Sequence, residues 1–145
     1  MRKIPALTLV EVLLLLSVLA VLVSGGMSVL VGVRLNQAMV ASAEKFATVI
    51  RQAHIFAREE KDDRAWGVRY EGVNSYSLIA FGETVEVRAG YKLGSPSVFE
   101  DNFGLIIFAQ GTGALTDKRE IKIRSSNGRA VRVNILETGV VEAQR

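Results

Sequence analysis

Apolar positions follow three rhythms along the chain. From residue 7 to residue 33 they are nearly continuous, and the one formally charged side chain in that run is Glu11. From Leu35 the pattern turns amphipathic: Leu35, Met39, Ser42, Phe46, Val49, Ala53 and Phe56 recur at alternating steps of four and three, which predicts one face of a helix. Glu44, Lys45, Arg51, Arg58 and Glu59 fall off that stripe. The helix is therefore expected to continue from the apolar run to about Arg58, roughly 80 Å at about 1.5 Å per residue.

Beyond Asp62-Asp63 the rhythm shortens again. Strand-like segments are expected at 65–70, 75–81, 84–89, 103–109, 120–124 and 130–135, with turn residues between them. Ser126-Asn127-Gly128 predicts a tight hairpin, because Asn-Gly readily supplies positive φ. Ile121 and Ile123, then Val131, Val133 and Ile135, alternate with polar neighbours, so one face of that hairpin is expected to cover the helix stripe. The predicted class is α+β: a long N-terminal helix packed on a C-terminal antiparallel sheet. Its expected divisions are a leader (1–6), an apolar half-helix (7–33), an amphipathic half-helix (34–60) and a β-rich head (61–145).

The first run is long enough to cross the roughly 30 Å bilayer core as a helix. Arg2 and Lys3 precede it without an opposing acid, which predicts a cytoplasmic N-terminus and an external C-terminal domain, although Arg34, Lys45 and Arg51 follow the run. Gly25-Gly26 interrupts the run and is expected to be a soft point, since each Gly weakens a helix interior by about 1 kcal/mol relative to Ala; close helix–helix packing explains the pair equally well. The chain has no cysteine, so neither a disulfide nor a thiolate metal site is available. A net charge of +3 identifies no partner.

Two features of the N-terminus are unusual. A secretory signal places its small-residue cleavage site after the apolar core, whereas here the small residue Ala6 precedes it. A cut there leaves the helix on the mature protein and puts a free amine on Leu7, about one helical turn from Glu11. Glu11 itself is the second anomaly, because acids within membrane helices usually have a partner or a function.

The segment Lys3-Ile4-Pro5-Ala6-Leu7-Thr8-Leu9-Val10-Glu11-Val12-Leu13-Leu14 resembles the prepilin signature of type IV pilins and type II secretion pseudopilins: a short basic leader ending in a small residue, an apolar helix and an acid five residues after the cut. Ala6 and Leu7 depart from the Gly and Phe usual at those places. The resemblance implies cleavage at Ala6–Leu7 by a membrane prepilin peptidase, N-methylation of Leu7, and pairing of the Glu11 carboxylate with the amine of a neighbouring subunit. It also implies insertion in the inner-membrane bilayer, then assembly with other pilin or pseudopilin subunits through an inner-membrane platform into a periplasmic or extracellular filament. The closing 137–142 segment is similar to the final strand of H-type minor pseudopilins, which favours a minor subunit.

Other chemistry is sparse. The single histidine, His54, would have to serve any Ser or Cys triad, so no catalytic residue, metal or cofactor is assigned. Glu100-Asp101-Asn102 and Asp117 could supply oxygen ligands to calcium but match no calcium-loop pattern, so they are expected to be solvated loop residues. Lys122, Arg124 and Arg132 should share the outer face of the terminal hairpin, a basic patch that offers phosphate contacts as in some DNA-binding competence pilins but lacks aromatics for base stacking. A DNA-uptake receptor and a plain single-pass anchored domain are thus the alternatives to a filament subunit.

Overall fold

The structure, a computed structural model, describes residues 8–144 of the 145-residue chain, with the side chains of residues 25–29 outside that description. The expected leader and the Ala6–Leu7 bond therefore lie outside the described residues. One helix, α1 (Leu9–Arg58), contributes to two compact units that divide between Arg34 and Leu35.

In the first unit the apolar side chains from Leu9 to Val23 are exposed on every side of the helix; Leu9, Leu13 and Leu22 retain 78%, 58% and 66% of their surface. A helix that is apolar all round has no favourable state in water alone. Among the described residues no helix is long and apolar enough to cross a membrane. The described side chains stop at Ser24 and resume at Leu30, so the span expected over 7–33 lies only partly within them.

In the second unit the stripe is buried as its spacing requires. Met39, Ser42, Phe46, Val49 and Ala53 are inside, while Leu35 and Phe56 are half-buried. Ala43, Ala47, Ile50 and Ala57 are buried as well, so the buried face is wider than a single four-three seam. The reason is that two sheets share this face of α1.

The first sheet has strand order β3-β2-β1-β5, from β1 (Ala65–Gly72), β2 (Ser75–Phe81), β3 (Val85–Lys92) and β5 (Leu105–Phe108). The second has order β4-β6-β7-β8, from β4 (Val98–Phe99), β6 (Arg119–Arg124), β7 (Ala130–Ile135) and β8 (Val141–Gln144). All pairings are antiparallel. Trp66, Val68, Leu78, Ile106 and Phe108 from the first sheet, and Ile121, Ile123, Val131, Val133 and Ile135 from the second, join the helix residues in one core. At its centre Phe46 meets Tyr76, Phe99 and Phe103 at ring-centroid distances of 4.9, 5.1 and 5.5 Å.

Leaving α1, the chain turns through three non-glycine residues of positive φ, Glu60 (51°), Asp62 (58°) and Asp63 (54°), a conformation that Asp tolerates better than most residues. Neighbours hold this corner. The Trp66 indole donates to the Lys61 carbonyl (2.9 Å), the Lys61 ammonium lies 3.8 Å above the Phe56 ring, Arg88 donates to Asp62 (3.0 Å), and Gln110 donates to Asp63 (2.6 Å).

The expected segments differ from the strands in two instructive places. β4 was not anticipated: it is two residues long and exists only through its pairing with the end of β6. The closing strand is displaced from 137–142 to Val141–Gln144, because Gly139 takes φ of 81° and its amide donates to the Leu136 carbonyl (2.9 Å), which turns the chain first.

Tyr76 is enclosed, and among the described residues its hydroxyl has no hydrogen-bond partner. Burial, with the neighbouring Tyr91, pushes its pKa up to about 12. Because an unpaired buried hydroxyl costs about 1–3 kcal/mol, Tyr76→Phe is expected to hold or raise the melting temperature, as read by thermal circular dichroism. A clear fall would reveal a partner for the hydroxyl.

Candidate assembly site

The first turn of α1 holds Glu11, the acid expected to take part in assembly, beside Thr8. The Glu11 and Val12 amides donate to the Thr8 carbonyl (3.0 and 3.2 Å), which starts the helix. The Glu11 amide also reaches Thr8 Oγ1 (3.4 Å), while the Thr8 amide and hydroxyl donate to Glu11 Oε2 (3.4 and 3.5 Å). This is a loose, reciprocal capping box, in which a Thr side chain and a Glu three residues later satisfy amides that the helix leaves unpaired.

The only acid of the apolar run is therefore seated at the positive end of the helix dipole, where a carboxylate is favoured. Leu9, Val10, Val12, Leu13, Leu14 and Leu15 surround it, all exposed. Thr8 was missed as a partner of Glu11 by reasoning on charge alone; the signal was the Thr-x-x-Glu spacing itself. The backbone is helical through Gly25 and Gly26.

The other candidates lie in the second unit. Lys122 and Arg132 are direct cross-strand partners on the outer face of β6 and β7. Arg124 donates to Glu100, and Arg132 lies 3.7 Å from Glu120, so both arginines of the basic patch have carboxylate partners. Of the loop residues weighed as oxygen ligands, Glu100 is engaged in that pair and the Asn102 side-chain oxygen accepts the Gly104 amide (2.8 Å). Among the described residues no group of three or more potential metal ligands comes together. His54 stands on the C-terminal part of α1, against Phe108.

A long N-terminal helix whose later part packs against antiparallel sheets is the pilin fold. A solved structure with this fold is the crystal structure of the type IV minor pilin FimU of Pseudomonas aeruginosa, which superposes with a TM-score of 0.56 over 72% of this chain and 91% of that one, at 16% sequence identity. No protein-family model matches the chain, and no curated protein matches it either.

Proposed function

We propose that this chain is a subunit, of the minor kind, of a filament built like a type IV pilus, whether pilus, type II secretion pseudopilus or competence filament. One observation supports this reading above the others: the Leu9–Val23 part of α1 is exposed and apolar on all sides and carries a single acid, Glu11, in its first turn, and a head of pilin-type fold follows it in the chain. Such a surface needs lipid before assembly and other helices after it. Cleavage at Ala6–Leu7 by a prepilin peptidase and methylation of Leu7 would set a cationic amine one turn from the Glu11 carboxylate. In a filament the carboxylate then pairs with the amine of the neighbouring subunit, and the otherwise apolar helices supply the remaining contact. The likeness to FimU supports the minor-pilin form of this proposal through its fold.

The test is fractionation of cells that make the assembly machinery. The chain is expected in the sheared-filament fraction together with other pilin subunits. Its confinement to the membrane fraction, while filaments are shed normally, would contradict the reading and favour a plain anchored domain.

A further inference from the structure

The C-terminal part of α1 carries the chain's single histidine, and two turns distant in sequence close over it. The His54 ring stands edge-on to Phe108, with centroids 5.5 Å apart and planes at 62°. Gly113 and Gly139 have φ of 67° and 81°. A Cβ on Gly113 would lie 2.6 Å from His54 Cδ2 and 2.7 Å from Nε2, and one on Gly139 would overlap the same two atoms. Glycine is needed at both places for its backbone freedom and for the approach of the ring.

Each turn has its own anchorage. The Gly111 amide donates to the Ala57 carbonyl of α1 (2.9 Å), and the Gly113 amide to Ala109 (2.8 Å). The Leu115 amide donates to the Glu137 carbonyl (2.9 Å), linking the first turn to the second. The His54 residue is half-buried, and its Nε2, on the enclosed side, has no hydrogen-bond partner among the described residues.

The charges around the ring are few. Arg58 lies one turn further along the same helix, and its side chain also abuts Gly113. Arg51, on the preceding turn, donates to the Val141 carbonyl (3.1 Å). Glu60 sits beside Gly111, and Glu137 belongs to the second turn, yet neither forms an ion pair among the described residues. The 109–115 turn has no titratable side chain.

We propose that His54 is a pH-sensitive latch, which when neutral holds the 109–115 and 136–140 turns on the end of α1 and when protonated releases them. Protonation places a charged N–H at Nε2, where no acceptor waits and where Arg58 repels it. Burial first, and Arg58 second, hold the imidazole below its usual pKa of 6.5. The open state, with the ring in water, takes up the proton earlier. The closed state therefore keeps its full advantage above about pH 6.5 and loses it as pH falls through the lower midpoint of the closed form. A single proton sets the slope, so opening increases by up to about tenfold per pH unit in that window.

The test uses the full chain in detergent micelles. With one histidine, the imidazole gives one titrating NMR signal, and amide exchange, corrected for the intrinsic pH dependence, reports on the turns. A midpoint below 6.5, with protection at 109–115 and 136–140 falling in step with the titration, is the expected result; His54→Gln should abolish that pH dependence. A midpoint at or above 6.5 would overturn the latch, as would turns that keep their protection throughout or a His54→Gln protein with the wild-type pH profile. The two wild-type readouts decide the matter even if that variant does not fold.

Discussion

Glu11→Gln is expected to enter the membrane normally, keep its helix, and fail to join a filament. The glutamine oxygen can still accept the Thr8 amide, so the capping box that starts α1 survives. Only the negative charge is lost, and with it the proposed attraction to a neighbour's amine. Insertion should become slightly easier, because an acid near the end of a membrane helix carries a cost that an amide carries less of. Glu11→Ala removes the cap and the charge together, so the comparison of the two variants separates local helix start from contact between subunits. Membrane and sheared-filament fractions compared by immunoblot measure both. Filament incorporation of Glu11→Gln at the wild-type level would remove the charge pair and leave the carboxylate as a helix cap alone.

The second large effect is expected in the head. Phe46 is fully enclosed and touches three other aromatic rings in the core between α1 and the two sheets. Truncation to Ala leaves a cavity that rigid strands on both sides fill poorly, and Phe→Ala losses in such sites run to about 3–5 kcal/mol. Against a typical total of about 5–15 kcal/mol, that is a large share. Phe46→Ala should lower the melting temperature of the full chain in detergent by on the order of 10 °C or more, measured by circular dichroism. A shift of only a degree or two would mean that the head is not held together by this aromatic centre.

Much of the architecture was legible in the residues because local pattern and long-range packing agree. The four-three stripe from Leu35 to Phe56 faces the core, and the alternation in β6 and β7 points Ile121, Ile123, Val131, Val133 and Ile135 at it. Asn127-Gly128 closes the hairpin as expected, with φ of 80° at Gly128 and the Gly128 amide donating to the Ser125 carbonyl (3.0 Å). What escaped was set by contacts between distant segments. Val98 and Phe99 form a strand only because Arg124 and Ile123 lie beside them. The breadth of the buried helix face, with its four small or compact additions at Ala43, Ala47, Ile50 and Ala57, follows from a second sheet that no local pattern announces.

The candidate sites divide in the same way. Glu11 stood out as a lone charge in an apolar run, whereas its bond to Thr8 needed the helix start to be located. The basic patch was visible as Lys122, Arg124 and Arg132, but the pairing of Arg124 with Glu100 joins residues far apart in the chain. His54 gave no sign of its surroundings, because Gly113 and Gly139 reach it only through the folding of two separate turns.

The filament proposal turns on one covalent event, since the amine that Glu11 would meet exists only after the leader is removed. Intact-mass and N-terminal peptide mass spectrometry of the chain purified from cells with an active prepilin peptidase measures it directly. The account predicts a mature protein that begins at Leu7 and carries one added methyl group on its amine. A chain that begins at Met1 in those cells would contradict it.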